Sequence, residues 1–449
     1  MQLPPRAAVA THNSCIAFDI SKRWIAPLMP NYTGLMILIF LSSRGRLNAM
    51  TLFISRRALI AFTVLASLWH ISAVAAPFIP QSDAEVIERL PGRASDPAIK
   101  RVDSLRKQLA ARPNDAVLRV EIARRYFEMA MAQGDPRYVG YASAALAPVA
   151  PSATATSGYW MALGLIQQFS HDFEGALTSM AKAGQLDPAS PEPALWRAAI
   201  FMVQARYAQA QAECQRLTPL AAPALGIGCH TYAQASMGQL EAAFQTLSST
   251  VKATPQEAPE LLLWRYNRLA EMATRLERFD VAEAYFKQAL NIGITDQFLL
   301  GSFSDFLLMR QRPIEVLNLL VSWERSDVLL LRLALAGRAA KDKRAADWAA
   351  QLRDRFQAAE LRGDRLHEQE AARFELDIED NAANAITLAS RNYQIQKEPR
   401  DAEILMRAAL AANQPKAAQP ALDWLRTNHY EDPIISALAA QLVTKGAAR

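Results

Sequence analysis

Residues 157–190 read SGYWMALGLIQQFSHDFEGALTSMAKAGQLDPAS, and this stretch decides the fold. Trp160, Leu163 and Gly164, then Ala176, Met180 and Ala183, fall at helical spacing on two segments. His171-Asp172 supplies the turn between them, and Pro188 stands where the second helix must end. Two antiparallel helices touch closely only where Gly or Ala replaces a large side chain, and Trp160, Leu163 and Met180 fill the space between. The pattern returns 34 residues later at Ala194, Ala198 and Ala210. The small residue of the second helix recurs as Ala176, Ala210, Ala243, Ala282, Val316, Ala346, Ala385 and Ala418, at intervals of 34, 33, 39, 34, 30, 39 and 33. A period of that size, built on a helix–turn–helix unit, means a solenoid.

The unit at 157–190 resembles the tetratricopeptide repeat: an aromatic, Leu-Gly, a small residue opening the second helix, another near its end, then Pro. Other units are looser; His230-Thr231 and Ala372-Arg373 stand where that family prefers Leu-Gly, so those units rest on spacing. The resemblance implies an all-α, right-handed superhelical solenoid whose first helices line a concave groove for a protein or peptide partner. About nine helical pairs fit residues 115–430. An N-terminal extension with a leading helix occupies 76–114, and a capping helix and tail occupy 431–449. No strand alternation competes with this reading.

Projecting the period onto the groove places Phe169, Met202, Tyr232, Trp264, Arg268, Glu271, Arg275 and Asp305 on the inner side. Trp264, Arg268, Glu271 and Arg275 follow one another at spacings of four, three and four, so they share a helix face. Aromatics beside Arg are the usual anchors of a protein interface. Aromatics at helical spacing also serve as core, and the sequence leaves both roles open.

The bulk numbers limit the partner. The 449 residues are 51% hydrophobic and 21% charged, too apolar for disorder. A net charge of +5 suggests nucleic acid, but residues 1–75 hold seven basic groups against Asp19 alone. Removing them leaves 42 basic and 43 acidic residues over 76–449, which excludes that reading. The same leader carries Arg56-Arg57, an apolar run from Ala58 to Leu68, and Ala73-Val74-Ala75 before Ala76. These are the three parts of a signal peptide, over 50–75, with cleavage between Ala75 and Ala76. Because such a peptide must be N-terminal, Met50 is the expected start and 1–49 an overlong gene call. The expectation is a periplasmic or secreted protein with no membrane span after cleavage. The alternative is an inner-membrane anchor formed by residues 58–76.

Catalytic motifs are lacking. His367-Glu368 opens like a zinc-protease helix, but Ala371 stands where the second His belongs. Gly226-Ile227-Gly228 lacks the third Gly of a dinucleotide loop. Gly301-Ser302-Phe303-Ser304-Asp305 lacks the closing Gly of a hydrolase elbow. The six His offer no ligand spacing, so neither metal nor cofactor is expected. Cys214 and Cys229 fall on neighbouring antiparallel helices, within disulfide reach in an oxidising compartment; otherwise they pack as buried thiols. The sequence thus points to an exported, non-catalytic interaction scaffold. The alternative is an enzyme or accessory factor of cell-wall or exopolysaccharide handling, its site assembled from residues distant in sequence.

Overall fold

Helix follows helix, and among the described residues there is no strand. The computed structural model describes residues 97–133, 135–149, 156–253, 257–363 and 365–447. The leader and the cleavage position at Ala75 and Ala76 lie outside them. A leading helix, α1 (Pro97–Ala111), precedes the pairs α2 (Ala116–Gln133) and α3 (Arg137–Leu146), then α4 (Ser157–Phe169) and α5 (Phe173–Leu186). Next come α6 (Glu192–Val203) with α7 (Tyr207–Leu217), α8 (Pro223–Ala235) with α9 (Leu240–Ala253), and α10 (Pro259–Arg275) with α11 (Phe279–Asn291). They continue as α12 (Gln297–Met309) with α13 (Pro313–Leu319), α14 (Asp327–Ala340) with α15 (Ala345–Leu361), and α16 (Glu368–Asp377) with α17 (Ala382–Asn392). The last pair sets α18 (Pro399–Ala411) against a 3-10 turn (Pro415–Ala418) running into α19 (Gln419–Asn428), and α20 (Pro433–Ala447) follows.

One turn geometry repeats from α4 onward. At the crest of each pair a residue adopts the left-handed conformation: His171, Ala205, Gly238, Glu277, Gln311, Lys341, Asp380 and Asn413. In most of them the amide of the next residue reaches back five positions, as from Asp172 to Gln167 (2.9 Å) and from Arg278 to Ala273 (2.8 Å). That bond satisfies a carbonyl the first helix leaves open at its end. Only the α8–α9 turn uses Gly for it, so the sequence carries no glycine signal at the others. Seven residues before the first six of these crests lies a small buried side chain or none: Gly164, Ala198, Thr231, Ala270, Ser304 and Ala334; before the last two stand Arg373 and Met406.

The fourth residue of the second helix closes the contact. Ala176, Ala210, Ala243, Ala282, Val316 and Ala385 are all 0% exposed. Ala346 does not belong to this series: it is exposed, and Trp348 takes the place, 2% exposed. The facing helix makes room for the indole, because a β-carbon at Gly337 would lie 2.9 Å from that ring. The indole N–H also donates to Glu324 Oε1 at 2.8 Å. Gly164 is the closest approach of α4 to α5, since a β-carbon there would sit 2.8 Å from Met180 Cγ and 3.3 Å from the Ala176 carbonyl oxygen. Gly164→Leu is therefore expected to cost about 1–3 kcal/mol through overpacking, measured as a lower urea midpoint. An unchanged midpoint would mean that this contact is not a tight one.

Candidate interaction site on the inner face

The eight candidate side chains are all half-buried. Phe169, near the C-terminal end of α4, and Met202, near that of α6, pack on the apolar cluster that holds Phe127 and Phe201. Ile395, from the segment after α17, joins the same cluster. On α8, Tyr232 lies under the Arg268 guanidinium at 4.7 Å and edge-on to Trp264 at 6.4 Å. The Trp264 ring covers Gly228, where a β-carbon would lie 2.5 Å away. Arg268 pairs with Glu271 at 2.9 Å, and Glu271 accepts from Ser302 Oγ at 3.0 Å. Trp264 and Arg268 thus contact α8, and Glu271 contacts α12.

What this face meets is the chain's own C-terminal part. Asp305 on α12 holds three guanidiniums: Arg332 of α14 at 2.8 Å, Arg373 of α16 at 2.7 Å, and Arg400 of α18. Arg373 continues to Asp377 (3.5 Å), which binds Arg407 at 2.5 Å. Burial pushes the Asp305 carboxyl up, but the three positive charges outweigh it and hold it well below the usual carboxylate range. Further contacts join distant pairs. The amide of Lys397 donates to the Val203 carbonyl at 2.8 Å, and Trp424 Nε1 donates to the Tyr207 hydroxyl at 3.1 Å. Arg275 Nε donates to the Glu431 carbonyl at 2.9 Å, and Glu431 Oε2 accepts from the amide of Leu240 at 2.7 Å.

Two acids at the start of α18 are held neutral more easily than usual. Glu398 and Asp401 form a reciprocal cap, in which Asp401 accepts from the Glu398 amide at 2.8 Å. Burial, and then the charge of Asp401, push Glu398 up to about 7 against the pull of Arg268 and Arg400. Burial likewise pushes Asp401 up to about 6, opposed by hydrogen bonds from Gln369, the Glu398 amide and Asn392 and aided by Glu370. Raised acids keep protons in the folded state that the unfolded chain releases. Stability is then full below about pH 4 and declines as pH rises through 6 to 7. Melting in urea should show a loss of roughly 1–3 kcal/mol between pH 5 and pH 8. Glu398→Gln should flatten that slope, and an equally steep slope in the variant would place its origin elsewhere.

Cys214 of α7 and Cys229 of α8 form a disulfide with Cα atoms 5.5 Å apart, and both are buried. The bridge ties the third pair to the fourth, beside Gly228 and Tyr232. Closing a loop of this size is worth about 3 kcal/mol in the chain-entropy account. Reduction should lower the melting temperature by several degrees, and alkylation of unreduced protein should find no free thiol at either position. Sequence reasoning missed Arg332, Arg373, Arg400, Glu398, Tyr430 and Glu431, because they reach the inner face from parts of the chain far from α8 and α10 in sequence.

From α8 to α18, the first helices of successive pairs bring side chains to one shared interior, and the left-handed turn recurs at every crest. The described residues form an all-α solenoid of helix–turn–helix pairs of the tetratricopeptide kind. Neither a protein-family model nor a curated protein matches its sequence. Solved structures match its fold. The repeat array is similar to a chain of the APC/C hetero-tetramer Cut9–Hcn1, at 18% identity over 69% of this chain and 52% of that one, TM-score 0.34. It therefore spans about half of that protein's length. It is also similar to yeast Tom70, at 11% identity over 78% of this chain and 86% of that one, TM-score 0.37. A tetratricopeptide repeat protein from Parabacteroides merdae aligns at 12% identity over 65% and 98%, TM-score 0.31. These likenesses concern the fold alone.

Proposed function

We propose that the chain is an exported, non-catalytic scaffold that binds a protein or peptide partner through the inner face of the tetratricopeptide-repeat solenoid. The observation that carries this reading is the half-buried row on α8 and α10, where Tyr232, Trp264, Arg268, Glu271 and Arg275 form a continuous aromatic and charged strip. Aromatic and arginine side chains that are only partly covered are the commonest anchors of protein interfaces. The signal-peptide pattern before Ala76 and the Cys214–Cys229 bridge both suit an oxidising compartment outside the cytoplasm. Among the described residues no helix is long and apolar enough to cross a membrane.

The test is crosslinking and purification from the periplasm, with the N-terminus of the recovered protein sequenced. Arg268→Ala is the informative variant, because the Trp264 ring rests on Gly228 and its loss would disturb folding as well. A real anchor costs about 2 kcal/mol or more on truncation, about thirtyfold in affinity. Weakened capture with an unchanged melting curve supports the inner face. Intact capture by Arg268→Ala, or an N-terminus inside residues 1–49, would overturn the corresponding half of the reading.

A further inference from the structure

The inner face is already occupied at one end, and the occupant shows what chemistry it accepts. Between α19 and α20 the chain runs without helical structure through Tyr430, Glu431 and Asp432. The Tyr430 ring lies 3.9 Å beneath the Arg275 guanidinium and 4.7 Å from the Trp424 ring. The next residue is held twice, its carbonyl by Arg275 Nε and its carboxylate by the amide that opens α9 at Leu240. Arg275 is set in place from behind, because its other arm donates to the Ala235 carbonyl at 2.6 Å. Gly238 admits the approach: it is left-handed, and a β-carbon there would lie 2.9 Å from His429 Cβ.

These contacts span 191 residues of sequence between Leu240 and Glu431, so no local turn requires them. A cation over an aromatic face, a charge-assisted bond to a carboxylate and a bond to that acid's own carbonyl together read an aromatic residue followed by an acid. Asp432 takes no part, since its carboxylate caps α20 through the amides of Ile434 (2.9 Å) and Ile435 (3.1 Å). The occupant is held chiefly through Tyr430, which is buried, while its surroundings reach the surface. Glu431 is exposed, and α20 carries Ile434 and Val443 at 48% and 62% exposure.

We propose that residues 430–431 are a built-in stand-in for the partner, and that the partner is an extended protein segment in which an aromatic residue is followed directly by Asp or Glu. This rests on the scaffold reading above and names its partner class. The partner displaces Tyr430 and Glu431 from Arg275 and the start of α9, so the free site is masked until the segment lifts. Masking lowers apparent affinity by the fraction of chains that are open.

The probe is a labelled peptide of residues 426–435, followed by fluorescence anisotropy against the full chain. Emptying the site with Tyr430→Ala and Glu431→Ala should tighten its binding about tenfold or more over the unaltered chain. Replacing the Tyr or the Glu of the peptide by Ala should abolish that gain, and so should adding Arg275→Ala to the emptied chain. Equal binding to both chains, or indifference to the peptide's own substitutions, overturns the proposal. Where the double variant melts early, the exposed Glu431→Ala alone serves, with a smaller gain in the same direction expected. Competition separates this inference from the scaffold reading. A periplasmic partner that is captured but not displaced by excess peptide sinks the segment and spares the scaffold. Peptide binding to the emptied chain with no partner captured does the reverse.

Discussion

Asp305→Ala is expected to lower stability by about 3–5 kcal/mol, the range for breaking a buried ion pair by removing one partner. The physical reason is the asymmetry of the cluster. One carboxylate holds Arg332, Arg373 and Arg400, and Arg332 is only 4% exposed, so three guanidiniums lose their common counter-charge at once. The acids that remain, Glu370 at 3.8 Å from Arg332 and Asp377 at 3.5 Å from Arg373, are more distant than Asp305 and each serves one arginine of the three. Urea titration reads the loss. A drop below about 1 kcal/mol would mean that the cluster is solvated and contributes as little as surface pairs do. A cycle with Arg400→Ala tests the coupling, because the second substitution should cost much less in the Asp305→Ala background.

The same carboxylate sets an acid limit with the opposite sign to that of Glu398 and Asp401. Held low in the folded state, Asp305 contributes stability above the ordinary carboxylate range and loses it as pH falls through its own value. Unaltered protein should therefore weaken on the acid side as well as above pH 6, with its best stability between. Asp305→Ala should flatten the acid limb, which Glu283 and Asp135, also held low by arginines, share, while keeping the decline through 6 to 7.

How much of this was legible follows from which residues act within one repeat. Gly164, Ala176 and Met180 meet inside one pair, and a period of about 34 residues exposes such contacts to sequence reasoning. Cys214 and Cys229 meet across adjacent pairs and were legible for the same reason. The period misled only where two substitutions compensate: Trp348 takes an alanine's place because Gly337 faces it, and Ala346, two residues earlier, looked like the series member. The left-handed crests were invisible because Glu277, Gln311 and Lys341 tolerate that conformation within a bond pattern that fixes it, without a glycine to mark them. The network around Asp305 could not be read at all. Its arginines stand 27, 68 and 95 residues away, and only the winding of the array brings them together. Projection placed Asp305, Arg268 and Arg275 on the inner side, but nothing in their spacing announced that the C-terminal pairs would cover them.

That covering depends on Trp424, and Trp424→Ala is expected to cost about 3–5 kcal/mol, as truncation of a large buried aromatic does. The indole is 6% exposed, lies tilted against Tyr430 at 4.7 Å and donates to the hydroxyl of Tyr207, 217 residues away. Its removal opens a cavity at the seam between the third and ninth pairs and leaves the Tyr207 hydroxyl, itself in a buried residue, without its donor. Repeat arrays lose stability unit by unit rather than all at once, so the damage should concentrate in the C-terminal pair. Limited proteolysis is expected to cut the variant first between residues 393 and 432, ahead of any cleavage in α4 to α9. Trp424→Phe separates packing from hydrogen bonding: it keeps most of the ring, forfeits the bond to Tyr207, and should cost about 1–2 kcal/mol. If both variants melt together with the unaltered protein, the seam contributes nothing. If Trp424→Ala unfolds in one cooperative step with no early cleavage, the C-terminal pair is part of a single stability unit and does not lift separately.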